Sequence, residues 1–344
     1  MKPYDELTRL GRLRRLRKLA EVALDAYGLS GARLTFCHYE GNVIFRVDAQ
    51  GPGPIAPKKG PYVENRYVLR ILTTGNVQGV ASELTWLTAL SRDAGIAVRE
   101  PIATLDGELL IKVSTPGVPD GRIVSLMRWL DGRLLTNNMR PNRARAWGRV
   151  VAKLHNFAAG WQPPEGFTRP HWDWEGQLGG REFSRPVKEL VASMPKHFQE
   201  PFGIVSDQAR EVIESFGKGP DAYGMVHMDM YPENVLFKGK EVYPFDYEDC
   251  GFGYWMWDIG VALCLWPWTE EWYWIRDAFL EGYAQVRTCP ESQLAHLDLF
   301  MATQYATMVL WASAFIKNDP TMLDEYEEWR NKDGNKLLRY FERR

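Results

Sequence analysis

Three side chains suited to one reaction, Asp229, Asn234 and Asp246, stand in a turn-rich segment and the two short apolar runs that follow it. Val235-Leu236-Phe237 forms the first run, Lys238-Gly239-Lys240 a turn, and the second run ends in Pro244-Phe245-Asp246. Such a hairpin draws the three residues together. One carboxylate can then accept a hydroxyl proton, while an amide and a second carboxylate offer the hard oxygens that magnesium takes together with substrate phosphates.

The series His227-x-Asp229-x-x-x-x-Asn234, followed by an apolar strand and Asp246, resembles the Brenner-type motif of aminoglycoside phosphotransferases and their relatives. Those relatives include choline kinases, bacterial homoserine kinases and stress-response kinases that share the protein-kinase fold. The resemblance covers residues 25 to 315 and implies a catalytic base at Asp229 and magnesium ligands at Asn234 and Asp246. Asp258, in Trp257-Asp258-Ile259-Gly260, resembles the aspartate that braces the catalytic loop, and His227 the histidine that packs and hydrogen-bonds within it. The implied cofactors are ATP, with GTP not excluded, and Mg2+.

The same resemblance places nucleotide-binding positions in the first part of the chain. Gly41 and Asn42 occupy the phosphate-covering hairpin, where glycine lets backbone N–H groups approach phosphate oxygens, although a single glycine equally suits a plain turn. Arg70 stands where such kinases usually carry lysine, a departure that keeps positive charge and adds a bidentate fork. Glu83 resembles its acidic partner. Met127 and Trp129 fall at the inter-lobe connection, whose backbone would pair with the adenine edge.

The second half is rich in tryptophan and acid. An aromatic wall with carboxylates suits a cationic amino-alcohol, aminosugar or amino-acid hydroxyl. Most of these tryptophans are expected in the core, and Trp172 and Asp173, with Glu270 and Glu271, are the candidates for contact with a small-molecule hydroxyl acceptor.

The elements that must position these residues follow from periodicity. Leucines at 7, 10, 13, 16 and 19 recur at helical spacing opposite basic residues, which predicts an amphipathic helix packed on the first lobe. Alternation at 34–36, 43–47 and 67–72 predicts strands, with a solvated Pro/Gly loop holding Lys58 and Lys59 between the last two. Ser82 is placed just before a helix over 83–90, and further strands near 102–104, 109–111 and 124–127. Beyond Asp131-Gly132 the pattern is mainly helical, with 251–268 read as a buried core helix. The expectation is an α+β chain with a two-lobed protein-kinase-like fold: a small antiparallel β lobe with one helix over residues 1–130, then a larger, mainly helical lobe over 131–344.

The 344 residues are 45% apolar and 25% charged, ordinary for a globular protein. With 42 basic and 44 acidic side chains the formal charge is -2, so no overall field draws the chain to nucleic acid. Neither a membrane partner nor a secretory signal is expected, and the location expected by default is cytoplasmic. The four cysteines, spread along the chain, read as buried free thiols. Two other readings stay open: a protein Ser/Thr kinase of the bacterial stress-response type, and a non-catalytic nucleotide-binding protein. The acceptor's identity and the oligomeric state also stay open.

Overall fold

The computed structural model describes residues 2–51, 54–73, 76–318 and 322–343; Pro52 and Gly53, in the predicted Pro/Gly loop, lie outside them. The chain forms two compact units. One comprises Met1–Arg133, Pro163–Thr168 and Tyr243–Phe245, and the other Leu134–Gln162, Arg169–Val242 and Asp246–Arg344.

The first unit opens with helix α1 (Arg9–Asp25), then strands β1 (Arg33–Glu40), β2 (Asn42–Asp48) and β3 (Tyr62–Leu72). Helix α2 (Val77–Arg92) and strands β4 (Pro101–Ile102), β5 (Ile111–Val113) and β6 (Arg122–Leu130) follow, and the division between the units falls within β7 (Arg133–Leu134). The sheet runs β1-β2-β3-β6-β4, with β5 also on β6, and every pairing in it is antiparallel. Along β2, Val43, Phe45 and Val47 are buried while their neighbours are not, which pins the register opposite Ile71, Leu69 and Tyr67.

Helix α1 covers that buried face. Leu16, Leu19, Ala20, Ala23 and Leu24, on one stripe, join Val43, Phe45, Leu69 and Ile71 in a single core. Each buried leucine there contributes about 1.5–3 kcal/mol. The helix's basic face is anchored: Arg9 donates to the Tyr39 carbonyl at 2.7 Å, Arg15 to Gly117 at 2.6 Å and Arg17 to Leu34 at 3.0 Å. Lys58 departs from the expected solvated loop charge by pairing with Glu100 at 2.7 Å, and Glu100 also holds Arg128 at 2.8 Å.

One expected element boundary and one expected burial need correction. Helix α2 begins before Ser82, with the Asn76 side chain capping it through Gly79 N–H. Ser82 instead bonds back to the Gln78 carbonyl at 3.0 Å, as mid-helix serines do. Cys37 is exposed rather than buried.

The second unit contains α3 (Pro141–Gly160), β8 (His171–Trp172), α4 (Val187–Ser193), α5 (Lys196–Phe216), β9 (Tyr223–Val226), β10 (Val235–Lys238) and the first half of β11 (Glu241–Pro244), whose Tyr243 and Pro244 group with the first unit. It ends with β12 (Gly251–Tyr254), α6 (Trp255–Leu263), α7 (Glu270–Ala284), α8 (Glu291–Leu294), α9 (Leu297–Asn318) and α10 (Leu323–Glu342). The predicted 251–268 helix is thus a strand followed by a short helix. Its first residues pair with β9, a nonlocal partner that periodicity cannot show.

Helices α3 and α7 meet backbone to backbone. A Cβ on Gly148 would lie 1.9 Å from the Phe279 carbonyl oxygen, and one on Gly282 would lie 2.0 Å from that of Arg145. Helix α9 packs against α4, α5, α6 and α10. Its Leu297–Lys317 stretch is apolar enough to cross a membrane by length and composition, but 78% of it is buried inside the protein.

Candidate active site

Strand β9 delivers His227, Met228 and Asp229, and its antiparallel neighbour β12 leads directly into α6, whose first turn carries Asp258. Asp258 is fully buried. It accepts hydrogen bonds from His227 N–H at 3.0 Å, Met228 N–H at 2.8 Å and His155 Nε2 at 3.0 Å. Burial pushes its carboxyl up, but the hydrogen bond and charge of His155, followed by His227, outweigh that and hold it below the usual carboxylate range. Burial pulls His155 below its ordinary value against the pull of Asp258. The other ring nitrogen of His155, Nδ1, lies 2.8 Å from the Tyr283 hydroxyl.

That bracing shapes the loop. Met228 adopts φ 68°, and so does Asp246, a left-handed conformation that side chains other than glycine rarely take. The His227 ring sits 4.2 Å from that of Tyr247, and its Nδ1 lies 3.3 Å from the Asp229 N–H. In β10's approach, Pro232 opens a single 3-10 turn ending at Asn234. The Asn234 amide there donates to the Asp229 carbonyl at 3.1 Å and to its Oδ2.

Asp229 is half-buried. Burial first, then the nearby charges of Asp249 and Asp246, push its carboxyl up to about 7, against the opposing hydrogen bond from Asn234. A carboxyl so placed is poised to take up a proton near neutrality. The concentration of acidic oxygens fits a hard divalent cation. Among the described residues no three His, Cys, Asp or Glu side chains are grouped to hold a metal by themselves.

Asp229 lines a cavity of about 460 Å³ within the second unit. Trp172, Met228, Tyr231, Asp249, Thr307 and Trp311 are among its walls. Of the predicted acceptor residues, Trp172 is therefore placed on it. Asp173 is not: Arg181 at 2.8 Å and Lys218 at 2.9 Å engage its carboxylate. Glu270 and Glu271 are exposed in the first turn of α7, where they complement the helix N-terminus, and neither lines the cavity.

In the first unit, Arg70 of β3 and Glu83 of α2 form an ion pair of 3.0 Å with both side chains 3% exposed. Gly41, at φ 62°, makes the β1–β2 turn, with Asn42 starting β2 opposite Leu72. Gly41's carbonyl accepts from the Thr73 hydroxyl. Met127 is buried in β6 between Val68 and Pro101, and Trp129 faces the Arg66 guanidinium at 6.0 Å.

Sequence reasoning missed His155, which as a lone apolar-face histidine carries no signal, and the cavity residues of α9 and α10. A signal did exist for α9: Gln304, Thr307, Met308, Trp311 and Phe315 recur at helical spacing within a largely apolar run.

Residues 60–292 match the family model described as Phosphotransferase enzyme family. Amicoumacin kinase of Bacillus subtilis (strain 168) is 25% identical over 205 residues, a match covering 57% of this chain and 56% of that protein. The chain thus spans little more than half the length of that relative. Homoserine kinase of Brucella ovis is 22% identical over 244 residues, covering 66% of this chain and 68% of that protein. The solved structure of a microcompartment-associated aminopropanol kinase matches with a TM-score of 0.74 at 22% identity, covering 95% of this chain and 98% of that one. That likeness shows the protein-kinase-like α+β fold.

Proposed function

The chain belongs to the phosphotransferase enzyme family, whose match covers residues 60–292 of its 344, and from that premise we propose that it moves the γ-phosphate of ATP onto a hydroxyl of a small molecule. The observation that carries this reading is Asp229: a half-buried carboxyl pushed up to about 7, tied to Asn234, and facing a 460 Å³ cavity. In the reaction it orients the acceptor hydroxyl and takes its proton as the oxygen attacks phosphorus. Asn234 and Asp246 would hold magnesium, which when bound supplies positive charge beside the transferring phosphoryl group. Arg70, fixed by Glu83, offers a guanidinium to the nucleotide's phosphates.

Asp249 lines the cavity together with aromatic rings, which supports a cationic acceptor such as an amino-alcohol, an aminosugar or homoserine, while the Asp333 carboxylate there is engaged by Lys336 at 2.8 Å. The quick passage from Asp246 through β12 into α6 leaves little platform for a peptide, which weighs against a protein kinase. The test is an ADP-release assay across amino-alcohols, aminosugars, homoserine and a generic protein substrate, run beside Asp229→Asn. The variant should lose turnover by about 100-fold or more while nucleotide binding, followed by calorimetry, persists. Full activity in Asp229→Asn removes Asp229 from the mechanism.

A further inference from the structure

Resting on that reading, we propose that the acceptor is an elongated molecule: a polar, hydroxyl-bearing head beside Asp229 and a flat aromatic ring farther along the cavity, held between α9 and α10. Five α9 residues line the cavity, Gln304, Thr307, Met308, Trp311 and Phe315, at steps of three, four, seven and eleven residues from the first. At 100° per residue they fall on one stripe. At 1.5 Å per residue Trp311 lies about 10 Å and Phe315 about 16 Å beyond Gln304.

The near end of the stripe belongs to the catalytic loop, because Gln304 Nε2 donates to the Tyr231 hydroxyl at 2.9 Å. From α10, Trp329, Lys332, Asp333 and Lys336 line the opposite wall with the same spacing. The two helices run antiparallel. Phe315 stacks with Trp329 at 5.9 Å at one end, and Lys336 lies 5.3 Å from the Tyr305 ring at the other. Asp229, Tyr231, Gln304, the Asp333–Lys336 pair and Trp172 thus gather at one end of the cavity, and Trp311, Phe315 and Trp329 at the other.

Two further observations point to a ligand. Trp311, Phe315 and Trp329 are partly exposed although large, so each keeps surface uncovered on the cavity side. Thr307, 2% exposed, has a buried Oγ1 with no hydrogen-bond partner among the described residues. Its helix neighbours Thr303 and Ser313 bond back to Leu299 and Val309 at 2.8 Å. An acceptor group passing between head and ring would satisfy Thr307 Oγ1. Size agrees: 460 Å³ falls within the range of about 300–1,000 Å³ that drug-sized ligands occupy, more than a short amino-alcohol fills.

The probes are 1-amino-2-propanol and analogues bearing a terminal naphthyl ring on linkers of increasing length. We expect kcat/KM for ADP release to rise at least tenfold, chiefly through KM, at the linker length that lets the ring reach Trp311 and Trp329, roughly two helical turns beyond Gln304, and to fall on longer linkers. Trp329→Ala and Trp311→Leu should each remove most of that preference, and Thr307→Val should weaken every acceptor with a polar linker. Trp329→Phe, which keeps a ring, retains part of the preference and serves if the alanine variant melts early. A flat series, or a wild-type preference in folded Trp329→Ala and Trp311→Leu, overturns the inference while leaving the kinase reading intact. No release above the Asp229→Asn background with any probe, short or ring-bearing, removes the kinase reading and this inference with it.

Discussion

Replacing Asp258 measures how much of the catalytic loop hangs on one buried charge. Its carboxylate takes three donors, two of them backbone N–H groups of the loop itself. Hydrogen bonds to a charged group are worth about 1.5–3 kcal/mol each, and breaking a buried charged pair costs about 3–5 kcal/mol. Asp258→Ala should therefore cost about 4 kcal/mol, a large share of the roughly 5–15 kcal/mol that stabilises a domain. Asp258→Asn keeps the shape but points an NH2 at one donor, for a loss of about 2 kcal/mol.

The pH dependence fixes the sign. The folded carboxyl lies below its ordinary value of 3.8, so its stabilisation is fully present above 3.8 and is lost as pH falls through the lower folded value. Urea unfolding of wild type and both variants, at neutral and at acid pH, reads these differences. Stability within about 1 kcal/mol of wild type for Asp258→Ala, or a gap between wild type and Asp258→Asn that widens in acid, refutes the reasoning.

Three more expectations follow from the geometry. Because Asp229 must be ionised to take a proton, kcat/KM for the acceptor should fall roughly tenfold per unit as pH drops below about 7. Glu83→Gln, which takes the carboxylate from a pair only 3% exposed, should lose about 3–5 kcal/mol in chemical denaturation. The Arg70→Met/Glu83→Met double variant should lose less than the two single changes summed. Gly148→Ala, whose Cβ would meet the Phe279 carbonyl, should lower the melting temperature and cost about 1–3 kcal/mol, whereas Gly203→Ala in α5, with nothing within 4 Å, should stabilise by about 0.5–1 kcal/mol in the same calorimetric scan.

The reach of the sequence follows physical range. Helix α1 and strands β2 and β3 were readable because their burial repeats at local spacing, 3.6 for Leu16 through Leu24 and 2 for Val43 through Val47. Asp229, Asn234 and Asp246 were readable as a group because a short hairpin joins them. Strand β12 reads as helix from its local pattern because its identity rests on pairing with Tyr223–Val226. Asp173 looked available because nothing local announces Arg181 and Lys218 at its carboxylate. His155 reaches Asp258 across more than a hundred residues, a distance no local pattern spans.

The left-handed turns at Met228 and Asp246 leave the site under tension, since each holds a torsion worth roughly 1–3 kcal/mol when relaxed. Asp258 acts as a latch on the first of them. A substitution on α3 or α6 that slips this latch, touching neither nucleotide nor acceptor, would let the loop unwind and swing Asp229 out of register. Drift in these helices therefore offers a silent route from enzyme to inert paralogue with every catalytic letter still in place.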